Sequence, residues 1–149
     1  MDKNDHVKLV GSFASTAVNQ SFNVDLSKID ILKVSCFLLI FNISSDGNGV
    51  SDDAAINIIV NSNNIGKIGG ALGGSCDGLG IIQRNTFQNV YTKGVSAISF
   101  NAMFNRNDSF KYDITGVRSE SVLFDNISSL SLNFIGGSES HCFIYAFMK

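Results

Sequence analysis

The chain has 149 residues, of which 44% are hydrophobic and only 16% charged, with a formal net charge of −2 at pH 7. That length buries enough surface for one core without disulfide or metal staples, and the apolar share excludes a disordered chain. The eight Lys and three Arg are dispersed singly from Lys3 to Lys149, which argues against nucleic-acid binding through a basic patch and against a polybasic membrane anchor.

The predicted elements are all strands. His6 to Ala14 reads as the first. Asn19 to Leu26 follows, with Phe22, Val24 and Leu26 alternating against Ser21, Asn23 and Asp25, the period-two pattern of a half-buried strand. Ser27 to Asp30 reads as one helical turn or a tight link, and Ile31 to Ile43 as a long central strand. Asp46-Gly47-Asn48-Gly49 is a turn signal. Ala55 to Asn61 is the next strand, and Ser62-Asn63-Asn64 the turn after it. Ile65 to Gly80 reads as a glycine-rich loop. Short strands follow at Gly80 to Arg84 and Phe87 to Thr92, and a longer one at Val95 to Phe104. Asn105 to Asp108 turns the chain. Ser109 to Ile114 and Val117 to Phe124 read as a hairpin about Thr115-Gly116. Ile127 to Phe134, a turn from Ile135 to Ser138, and His141 to Met148 complete the chain.

About ten strands at this spacing predict an all-β, antiparallel sandwich spanning residues 1–149 as one domain. The chain contains no proline, so strand edges must be closed by twisting, covering or pairing with a neighbouring subunit. The final strand carries Phe143, Tyr145 and Phe147 on one face and Cys142, Ile144, Ala146 and Met148 on the other. A strand apolar on both faces is expected to be central in its sheet and covered on both sides. Its second face can serve as a subunit contact. The same holds for the apolar run around Phe37 and Leu39, so Phe143, Tyr145, Phe147, Phe37 and Leu39 are the interface candidates of a homo-oligomer, with a homotrimer expected.

No segment has the basic start and apolar stretch of a secretory signal. The longest apolar run, Val34 to Phe41, is too short for a membrane helix. The three cysteines, Cys36, Cys76 and Cys142, are odd in number and lack metal-ligand spacing, which reads as reduced thiols in a reducing cytoplasm.

A catalytic constellation is not visible. The two histidines, His6 and His141, lie near opposite termini without a zinc-binding spacing. Gly73-Gly74-Ser75-Cys76-Asp77 lacks the last glycine of a nucleophile elbow. Ser138, Glu139 and His141 are near neighbours on one segment, where alternating side chains diverge. The chain has two glutamates, Glu120 and Glu139, and its aspartates sit mostly in turn contexts. We therefore expect no enzyme activity, no cofactor and no metal. The stretch from Gly66 to Gly80 matches neither phosphate-loop spacing. It reads either as a flexible connector or as an exposed loop that packs on a partner, with Lys67, Gly69, Gly70, Gly73, Gly74 and Asp77 as candidate contact residues.

The ending, Ile127-Ser-Ser-Leu-Ser-Leu-Asn-Phe134 followed by Gly137 and by His141-Cys-Phe-Ile-Tyr-Ala-Phe147, resembles the last two strands of bacteriophage jelly-roll domains, which occur in capsid decoration proteins and at head- and tail-fibre tips. Many of these resemble the trimeric tumour-necrosis-factor or C1q sandwich. No coiled-coil or collagen-like stem precedes the domain, which shifts the expectation toward decoration or adaptor. The resemblance implies a virion protein, made in the host cytoplasm, that binds itself as a trimer, other virion proteins, and a host-surface receptor or glycan, without nucleic-acid binding or membrane insertion. The alternative is a carbohydrate-binding module, although the absence of Trp and the count of three Tyr leave few stacking platforms.

Overall fold

The computed structural model describes residues 6–16, 19–44, 55–69, 76–86, 96–106, 109–135 and 139–149. They form two antiparallel sheets. The larger has the order β1-β10-β3-β6-β7-β8 and the smaller β2-β9-β4-β5. The strands are β1 (Val7–Ala14), β2 (Gln20–Asn23), β3 (Val34–Ile43), β4 (Ala55–Val60), β5 (Asn63–Gly69), β6 (Cys76–Thr86), β7 (Ser96–Arg106), β8 (Ser109–Leu123), β9 (Leu130–Ile135) and β10 (His141–Met148). The pairings nest: β4 with β5, β3 with β6, β2 with β9 and β1 with β10. The chain is thus a long double strand, with β4–β5 as its tip, wound into two layers. β7 and β8 extend the larger sheet at one side and lie against β5 of the smaller one.

The core fills the space between the layers. From the larger sheet come Phe37, Leu39, Phe41, Ile82, Phe100, Cys142 and Ile144; from the smaller come Ile56, Ile58, Val60, Ile68, Leu130, Leu132 and Phe134. These are alternate residues of their strands, as a period-two pattern with one face inward requires. Phe13 stacks on Phe22 at 5.2 Å between ring centroids, and Phe22 meets Phe134 edge-on at 5.4 Å. The first contact brings β1 of one sheet against β2 of the other, and the second packs β2 on β9 within the smaller sheet.

Four local readings of the sequence are corrected. The stretch from Ile65 to Gly80 is no continuous loop: Asn63–Gly69 is β5 and Cys76–Thr86 is β6, one long strand where a short one at Gly80 to Arg84 was expected. Its glycines fit the sheet because Gly66 and Gly80 give room to the Phe100 ring. No hairpin forms at Thr115-Gly116. These residues pair with Ala102 and Asn101 of β7 inside one 15-residue strand, because the partner strand supplies ladder bonds that outweigh the weak strand preference of glycine. The turn after β4 is the two residues Asn61 and Ser62, with φ of 48° and 67°, the pattern of a type I′ hairpin turn. The helical turn falls at Ile31–Lys33, capped by the Asp30 carboxylate, which accepts from Leu32 N at 3.1 Å. The turns expected at Asp46–Gly49 and at 136–138, and the strand at Phe87–Thr92, lie outside the described residues.

Candidate interaction surface

β10 lies between β1 and β3, inside the larger sheet. One of its faces, Cys142, Ile144 and Ala146, is in the core. On the other face His141 and Phe143 are exposed and Tyr145 and Phe147 half-buried. The two apolar faces therefore have different fates, and the outer one is not covered by the smaller sheet.

The register extends that outer face across the sheet. One row runs Ser12, Phe143, Ile40, Leu79 and Met103 from β1 through β10, β3 and β6 to β7. The next runs Leu9, Tyr145, Leu38, Ile81 and Asn101, and the third Val7, Phe147, Cys36, Gln83 and Ser99. None of these residues is charged. Val7, Leu9, Ile40, Leu79, Ile81, Met103 and Phe143 all stand among the eight large apolar side chains that the described residues expose; the eighth, Leu32, is on the turn before β3. Single exposed apolar residues are ordinary, but a contiguous set on one sheet face is a candidate contact surface. His141, Asn42 and Asp77, also neighbours in register and all exposed, form a polar margin along one side.

The strands that carry this face are pinned behind it. Ser140 and Ser15 are buried where β1, β3 and β10 meet. Ser140 N donates to Ser15 Oγ at 2.9 Å, Ser15 N to the Ser140 carbonyl at 2.8 Å, and Ser44 N to Ser140 Oγ at 3.0 Å. At the other end Arg84 of β6 donates to the carbonyls of Ile31 and Val34, pairs with Asp125, and lies 4.7 Å over the Phe124 ring. Cys142 is buried, which pushes its thiol pKa up to about 12, and burial also raises that of Cys36. Both are free thiols.

Several sequence-predicted residues fall on this surface, and others do not. Phe143, Tyr145 and Phe147 lie on the outer face. Phe37 and Leu39 are fully buried in the core, so the apolar residues that β3 gives to the outer face are their neighbours, the half-buried Leu38 and the exposed Ile40. Of the glycine-rich candidates, Lys67 and Gly69 belong to β5, and Lys67 points outward from the smaller sheet between the buried Gly66 and Ile68. Asp77 of β6 points outward from the larger sheet. Lys67 and Asp77 thus face opposite sides of the sandwich and do not converge. Gly70, Gly73 and Gly74 lie outside the described residues. Sequence reading missed Leu79 and Ile81, whose signal was the alternation Leu79-Gly80-Ile81 at the end of the glycine-rich stretch, and Met103, which lies on the outward face of the strand expected at Val95 to Phe104.

Two open depressions lie elsewhere. One, of about 420 Å³, runs between Asn23–Ser27 and Ile127–Leu130, and none of its described lining residues is aromatic. Its polar groups are engaged internally: Ser128 N, Ser128 Oγ and Ser129 N donate to Asn61 Oδ1, and Ser27 donates through N and Oγ to Asp25, which lowers the Asp25 pKa. The other, of about 430 Å³, is lined by Lys8, Asp25 and Lys28 with Leu9, Val10 and Ile29. Among the described residues no group of three or more His, Cys, Asp or Glu is placed to hold a metal ion, and no helix is long and apolar enough to cross a membrane. Neither protein-family models nor curated protein sequences give a match to the chain.

Proposed function

We propose that the chain is a non-enzymatic structural protein of a bacteriophage virion: a jelly-roll homotrimer that acts as a capsid decoration or adaptor protein, or as a fibre tip. It binds other virion proteins and, through loops at one end of the sandwich, a host-surface receptor. The observation that carries this reading is the outer face of the larger sheet. Seven large apolar side chains exposed together, in rows that carry no charge from β1 to β7, support a protein built to be covered by protein. The nested pairing supports the jelly-roll part of the reading. Eight strands fall into two layers of four, β1-β10-β3-β6 and β2-β9-β4-β5, with β7 and β8 as an extension.

Negative-stain imaging of purified particles with an antibody raised against the chain tests the location. Discrete label at repeated positions on the particle is the expected result. Unlabelled particles, with the protein confined to the soluble fraction of the lysate, would contradict the reading.

A further inference from the structure

We infer that the outer face of the six-stranded sheet is covered by a second copy of this chain, with the contact centred on Ile40, Leu79, Ile81, Met103 and Phe143. This rests on the homo-oligomer reading above and adds the surface that makes it.

Charge, area and shape choose the occupant. From β1 to β7 the three rows carry no charged residue, and the first charge in register is Arg118 of β8 beside Ser99, so an oppositely charged partner gains little over most of the face. An anionic membrane would draw on a run of basic residues along the margin, whereas one margin holds His141, Asn42 and Asp77, and Lys8 and Lys28 beside Leu9 are accompanied by Asp25. The seven exposed apolar side chains are 38–56% accessible. At sizes of roughly 150–250 Å² for large side chains they present on the order of 600 Å² of apolar surface. With half-buried Tyr145, Phe147 and Leu38 the face reaches the ~800 Å² that each partner contributes to a stable complex. The exposed set alone lies at the upper end of the ~300–600 Å² range for the largest apolar patch on a monomer. An apolar sheet face is matched by another such face. Every copy of the chain supplies one, so apolar faces of neighbouring copies can cover one another in the oligomer.

Sedimentation velocity at micromolar concentration tests this. The wild-type chain is expected to sediment as an oligomer. Leu79→Lys and, independently, Met103→Lys place a charge at side chains 41% and 47% exposed, where the monomer fold accommodates it, and each is expected to weaken association at least about a hundredfold. Leu32→Lys, at a residue 61% exposed on the turn before β3, is expected to leave assembly unchanged. Circular dichroism melts identify which lysine variants are folded, and association is read on those. A wild-type monomer overturns both the oligomer reading and this one, and leaves the face to a foreign partner. A wild-type oligomer that persists in folded Leu79→Lys and Met103→Lys overturns only the assignment of the face. Dissociation by Leu32→Lys alone moves the contact to another surface and overturns it as well.

Discussion

Phe100 of β7 is fully buried between the layers, with Gly66 of β5 and Gly80 of β6 against its ring. A β-carbon on Gly66 would overlap the ring, and one on Gly80 would stand 3.1 Å from Phe100 Cε2. Interiors at crystal-like density have no slack for that. Gly66→Ala is therefore expected to destabilise the fold by roughly 1–3 kcal/mol, and Gly80→Ala by less, because its clash is milder. Denaturant midpoints measure both, and a Gly66→Ala midpoint equal to wild type would contradict the packing. Cys142 gives a pH signature. Its folded pKa is raised from 9.0 to about 12 by burial, so the unfolded chain releases the proton first as pH rises. The stability contributed by the protonated thiol is complete below pH 9 and is lost between pH 9 and 12. Between pH 8 and 10 the denaturant midpoint of wild type is expected to fall further than that of Cys142→Ala, and equal falls would contradict the burial. These residues also show where sequence reading stops. The glycines of the 66–80 stretch look like loop residues because glycine has poor strand preference. Nothing local reveals that a distant phenylalanine needs the space that they leave.

At the scale of elements, single side chains tie strands to turns. Arg84 holds the Ile31–Lys33 turn through the Ile31 and Val34 carbonyls, and the Phe124–Asn126 turn through Asp125 and the Phe124 ring. Its side chain is 15% exposed, so loss of the guanidinium removes part-buried hydrogen bonds to both carbonyls and leaves Ile31 O with the Val34 N–H. Arg84→Ala is expected to cost about 2 kcal/mol in unfolding free energy. Arg84→Lys is expected to recover only part of this, since an ammonium cannot span the same fork of acceptors. Full recovery by lysine would contradict the geometry. Asn61 works similarly. Its φ of 48° permits the β4–β5 turn, while its side-chain carbonyl accepts from Ser128 and Ser129 before β9. Asn61→Gly keeps the turn and loses those bonds, with an expected cost of about 1 kcal/mol. An unchanged denaturant midpoint for Asn61→Gly would contradict that clamp. The alternating strands β4, β7, β9 and β10 were legible in the sequence because period two with one inward face is a local property. β8 was not, because the bonds that carry Thr115 and Gly116 through as a strand come from β7.

For the whole molecule, the all-β sandwich follows from strand count and spacing, and the two observed sheets agree with it. Which side of a doubly apolar strand faces the core is decided by the neighbouring layer, which is why Phe37 and Leu39 went inside while Leu38 and Ile40 stayed at the surface. The consequence is a monomer with an apolar sheet face that needs covering, and Met103, 47% exposed in that face, reports directly on its state. Peroxide oxidation followed by peptide mass mapping compares Met103 in the wild-type chain with Met103 in folded Leu79→Lys, taking the half-buried Met148 as internal reference. Protection in the wild type that disappears in the variant is the predicted result. Equal oxidation of Met103 in the two proteins would contradict burial of this face between copies.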